Sequence, residues 1–125
     1  MKKIFSAILL VLISASVIGQ SVEYKDITTA NEAKLNGVFH FDFDSYFTSD
    51  ALKKASGFYT EQFKVDYIKT ATGHTATITI LTDDNLSRKV IERYFATLGV
   101  QKINVDGAEV DVRPFLFKFV MLPRE

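Results

Sequence analysis

The sequence predicts an α+β fold in which four strands and two helices follow in the order strand, helix, strand, strand, helix, strand. Three observations carry that prediction. Apolar and polar residues alternate with a period of two in "FHFDFD", "FKVDYIK" and "TATITIL", as half-buried strands require. Two other segments repeat apolar residues at helical spacing behind a polar cap. The pair Asp106-Gly107, set between short apolar runs, marks a tight hairpin.

Ahead of these elements, "MKKIFSAILLVLISASVIG" combines Lys2 and Lys3 with an apolar run from Ile4 to Ile13 and then small residues, the layout of a secretory signal. Residues 1–19 are therefore expected to be removed after Gly19, leaving Gln20 as the new end. The run is shorter than the roughly 20 residues of a spanning helix, so no stable membrane span is expected after cleavage. Export to the periplasm or beyond follows. No cysteine is present, which excludes disulfides, thiolate metal sites and lipid attachment at cysteine. Loss of Lys2 and Lys3 leaves 13 basic side chains against 15 acidic ones. A nucleic-acid partner is excluded on that balance, because phosphate binding calls for clustered surplus Lys and Arg, and "SRKVIER", the densest basic stretch, is interrupted by Glu92.

Residues 20–37 read as a polar leader with weak helix signals: Thr29 and Glu32 at capping-box spacing, then Gly37 as a terminator. A single domain over residues 38–125 follows. Its first strand, Phe39 to Asp44, points Phe39, Phe41 and Phe43 to one side and His40, Asp42 and Asp44 to the other. "TSDALKKASGFY" starts a helix at Thr48 or Ser49, with Ala51, Leu52, Ala55, Phe58 and Tyr59 on one face. Strands "FKVDYIK" and "TATITIL" are joined by "ATGH", the latter directing Ala76, Ile78 and Ile80 inward. The long helix "DDNLSRKVIERYFATLG" is capped by Asp83 or Asp84, carries Leu86, Val90, Ile91, Tyr94 and Leu98 on one face, and stops at Gly99. "QKINVDGAEVDV" then supplies the fourth strand and a hairpin partner. In "RPFLFKFVMLPRE", Pro114 in a first turn and Pro123 as a stop frame a short helix, although the alternating Phe residues also fit a strand.

Right-handed crossovers place the four strands in the order 4-1-3-2, all neighbours antiparallel, with both helices on one face. The opposite face then collects His40, Asp42, Lys64, Asp66, Thr75, Thr77, Thr79, Lys102 and Asn104 as an open polar surface.

Over Gly37 to Asp106 this succession resembles the ferredoxin-like heavy-metal-associated domains of metallochaperones. The resemblance implies their ferredoxin-like sandwich. That family holds its metal on a Cys-x-x-Cys between the first strand and first helix; the matching loop here, "DSYFTSD", offers Ser45, Tyr46, Phe47 and Thr48 and no thiol. The likeness therefore implies the fold without the family's metal transport. "RKVIERYFATLGVQKINVDG" is also similar to a small secreted group of Gram-negative bacteria, a resemblance that implies no activity.

Catalytic patterns do not stand out. Ser45, Ser49, Ser56 and Ser87 have no nucleophile-elbow context, "TATGHT" opens no helix as a phosphate loop does, and Asp83 and Asp84 are explained by capping. The expected function is thus non-catalytic binding, with a protein as partner and no cofactor. Two local sites are candidates beside the open face. Asp44, His74 and Asp50 have metal-competent side chains expected at one end of the fold, the basis of an alternative reading as a thiol-free metal-binding domain of the cell envelope. Phe115, Phe117 and Phe119 form a partner patch if the last segment does not fold onto the core.

Overall fold

The computed structural model describes residues 21–122; the expected signal segment and Pro123 lie outside the described residues. The chain runs β1 (Val22–Tyr24), α1 (Ala30–Asn36), β2 (Val38–Asp44), α2 (Ser49–Ser56), β3 (Phe63–Lys69), β4 (Gly73–Ile80), α3 (Asn85–Lys89), α4 (Ile91–Thr97), β5 (Lys102–Val105), β6 (Ala108–Asp111) and α5 (Val112–Phe119). The strands form one mixed sheet in the order β3-β4-β2-β1-β5-β6, and the helices bury their apolar residues against one face of it. The α+β class holds.

The sheet departs from the expected order at its centre. Residues 20–37 are not a leader: Val22 and Tyr24 are buried, and their strand β1 lies between β2, to which it is antiparallel, and β5, to which it is parallel. The predicted fourth strand therefore never touches the predicted first. Three residues are too few for alternation to declare a strand, and here burial on the far side of the chain, against Ile103 and the rings of Phe41 and Phe115, decides the conformation. The expected hairpin strand is present as β6, on the outer edge beyond β5, and together with β1 it brings the sheet to six strands. Its turn has positive φ at both Asp106 (52°) and Gly107 (87°), as the tightest hairpins need.

Local chemistry sets the helix limits. Thr48 caps α2 by accepting from the Ala51 amide at 3.1 Å, and Asp84 caps α3 by accepting from the Ser87 amide at 2.7 Å. Thr29 makes no side-chain cap, so the anticipated capping box is not formed, whereas Gly37 ends α1 in the left-handed conformation as anticipated. The predicted long helix breaks at Val90 into α3 and α4, and Leu86 is solvent-exposed instead of joining the buried face. Its place is taken by Arg88. That guanidinium is fully buried, pairs with Asp83 at 2.9 Å, and donates to the carbonyls of Lys34 at 2.7 Å and Val120 at 2.8 Å, tying α1, α3 and the end of α5 together.

Between the layers runs a continuous aromatic core. Phe41 meets Phe95 edge-on at 5.1 Å between ring centroids, Tyr24 meets Phe115 at 5.0 Å, and Phe43 meets Phe47 at 5.2 Å. At its far end Tyr67 donates its hydroxyl to the Leu52 carbonyl at 2.7 Å. With that proton spent, the 2.7 Å contact between Tyr67 and Tyr94 requires Tyr94 to be the donor.

Candidate functional site

All the polar residues anticipated on the open face are found there, because the strand registers align them in rows. One row crosses all six strands as Ile68, Thr75, Asp42, Glu23, Asn104 and Glu109. A second runs Asp66, Thr77, His40 and then Lys25, whose amide donates to the His40 carbonyl. Lys64 stands opposite Thr79, and Lys102 opposite Asp111. Five strand spacings make the surface about 24 Å wide. Glu23 and Lys25 are additions that the sequence did not announce, since β1 had no place in the expected sheet, and Glu109 and Asp111 join the face from the hairpin strand β6.

Part of this face is spent on holding itself together. Asp42 accepts the Thr75 hydroxyl at 2.6 Å and pairs with Lys25 at 3.1 Å, bridging β4, β2 and β1. Asp26 receives the His40 amide at 2.7 Å and lies 3.0 Å from His40 Nδ1, so that imidazole has its carboxylate partner next to it. The bond from Lys25 to Asp42, aided by their opposite charges, holds the Lys25 pKa above its ordinary value. What remains unspent is mostly negative. Glu23, Glu109 and Asp111 make no side-chain ion pair among the described residues, and Lys64 reaches Asp66 only at 3.8 Å.

The structure does not assemble the metal trio. His74 stands opposite Phe43 in the β2–β4 ladder and so points to the helix side, whereas Asp44, opposite Gly73, points to the open side. The parity of the strand decides this: His74 is in phase with Ala76 and Ile78, which face the core. Asp44 is occupied by the amides of Ser21 at 2.9 Å and Tyr46 at 3.0 Å, and Asp50 sits in the first turn of α2. Among the described residues no group of three or more His, Asp or Glu side chains is arranged to hold a metal ion.

Nor do the three C-terminal Phe residues form a patch. They lie on the helix α5, where a two-residue spacing turns the side chain by about 200°. Phe115 and Phe119 consequently enter the core beside Tyr24, and Phe117 alone is exposed, at 60 %. Comparison of the chain with protein-family models, curated proteins and solved structures gives no match.

Proposed function

We propose that the protein is an exported binding domain whose open sheet face docks a basic protein surface. One observation carries this reading. The helices cover one side of the sheet and leave the other side bare across six strands, with acids (Glu23, Asp42, Asp44, Asp66, Glu109 and Asp111) outnumbering the lysines Lys25, Lys64 and Lys102. A surplus of negative charge raises the encounter rate with a positive surface and repels an acidic one. The cross-linked strands also present these charges at small conformational cost, since Asp42 and His40 are already held. Export rests on the signal-like layout of the first 19 residues. No helix among the described residues is long and apolar enough to cross a membrane.

A photo-crosslinking amino acid placed at Thr77, in the middle of the open face, tests the proposal against the same label at Lys89 on the helical side. The Thr77 label should trap a discrete protein in cells and the Lys89 label should not. Affinity for that protein, once purified, should fall roughly tenfold with Glu23→Lys and Glu109→Lys together. An adduct from Lys89 alone, or an affinity indifferent to the charge reversals, defeats the reading.

A further inference from the structure

Where the metal trio was expected, the molecule instead has a cleft of about 500 Å³, bounded by the β2–α2 loop, α2 and the β3–β4 hairpin. It opens on the helix side of the sheet, away from the acidic face. Its lining contains Lys53, Lys69, Thr48, Thr70 and His74, and no carboxylate. Neither lysine makes an ion pair among the described residues. Asp44 is bound by two amides on the open side, and Asp50 is not part of the lining.

The neutral groups point to the same chemistry. Thr48 Oγ1 already accepts from the Ala51 amide and Thr70 Oγ1 from the Gly73 amide, both at 3.1 Å, so each hydroxyl has its proton left to give. His74 Nδ1 is buried with no hydrogen-bond partner. A proton there would be a buried, unsatisfied donor, which costs more than a bare lone pair, so the favoured tautomer carries the proton on Nε2. That leaves Nε2, on the more open side of the ring, as a further donor to the cleft. The residues lining the cleft thus carry two ammonium groups, two hydroxyls and an imidazole N–H, and no carboxylate. Tyr67 and Phe47 complete the wall, and because the Tyr67 hydroxyl is turned inward to Leu52 and Tyr94, it is the ring that borders the cleft.

We infer that this cleft binds a small organic anion, an oxyanion head group on a short apolar body. The volume lies within the ordinary range for small-molecule sites, about 300–1,000 Å³, and exceeds what a bare inorganic ion fills. The lysines and His74 Nε2 take the charge, the threonine hydroxyls fix its orientation, and the rings of Phe47 and Tyr67 receive the apolar part.

Amide chemical shifts of the isotopically labelled protein test this during titration with phenyl phosphate, with benzoate and with neutral benzyl alcohol. At least one of the two anions should give saturable shifts centred on Thr48, Lys53, Thr70 and His74. The two arms decide whether the head group is phosphate or carboxylate. Benzyl alcohol should give none. Lys53→Gln with Lys69→Gln should weaken anion binding roughly tenfold while leaving the remaining spectrum, and hence the fold, unchanged, and His74→Phe should weaken it separately. Absence of saturation by either anion, equal binding of benzyl alcohol, or an affinity unaltered by the double substitution overturns the inference.

Discussion

Arg88 is the residue whose role is largest and least expected. A guanidinium with no exposed surface needs acceptors for its donors, and each of its three nitrogens finds one in Asp83 or in two carbonyls that end other helices. The ring of Phe39 lies 5.8 Å from its centre, and Gly37 is packed so closely that a Cβ added there would come within 3.3 Å of Nη2. Arg88→Ala should therefore cost about 3–5 kcal/mol in denaturant melts, because it strands two carbonyls and empties the space they share. Asp83→Asn should cost less, since it keeps an oxygen in place and the Asp83 side chain is more than half exposed to water. Equal losses at the two positions would show that the charge, and not the pair of carbonyl bonds, is what matters. The sequence could not reveal this, because an arginine in "SRKVIER" looks like any other solvated charge. His74 departs from expectation for a different reason: its face follows from the parity of β4, but it lies beside a turn, where phase is easily lost.

At the scale of elements, period-two alternation located β2, β3 and β4 with their faces correct, and cap residues located α2, α3 and the end of α1. These signals are local, and local physics suffices for them. β1 is the counter-example. Val22, Glu23 and Tyr24 become a strand only because β2 and β5 offer hydrogen-bond partners on both sides, a property of residues far along the chain. The same dependence yields a clean expectation. Glu23→Ala, which trims an exposed side chain, should change stability by under about 1 kcal/mol. Glu23→Pro removes a ladder donor from a strand paired on both edges and should cost about 3 kcal/mol or more. Comparison of the two by urea denaturation separates backbone from side chain; similar small effects would mean that β1 is not held in the sheet. The clamp at the other terminus is also side-chain made: Asn85 exchanges two hydrogen bonds with the backbone of Leu122, at 3.1 and 2.7 Å. Nothing in the sequence order links those residues.

For the whole molecule, the aromatic core dictates how stability responds to pH. Burial holds the phenols of Tyr24, Tyr67 and Tyr94 above their ordinary pKa, with the charge of Asp26 adding to the effect at Tyr24, whose hydroxyl is buried without a partner. Each folded-state value exceeds that of the unfolded chain, near 10, so their contribution is complete below about pH 10 and is lost as pH rises above it. Urea midpoints should accordingly hold level through neutral pH and drop steeply beyond about pH 10, and Tyr94→Phe should flatten that drop. An unchanged alkaline slope in the variant would place the responsible groups elsewhere. The open face carries more acids and the cleft is lined by lysines, on opposite sides of the sheet, and only the face was legible in advance, since a face is written in alternation whereas a cleft arises from a loop and a hairpin meeting.

The parallel pairing of β1 with β5 has a consequence for how the chain reaches this shape. Glu23 lies beside Asn104, and about four-fifths of the described chain intervenes between them. The ribosome delivers the residues in order, so β1 and β2 emerge early while the slot beyond β1 stays vacant until Lys102–Val105 arrive. Until then one edge of the sheet's future centre is bare backbone, the kind of surface that recruits strands from other molecules. Closure must also await a contact of long sequence separation, which slows folding. A late strand thus seals the first, and the interval between the two events is when the protein is most exposed to aggregation or to a chaperone.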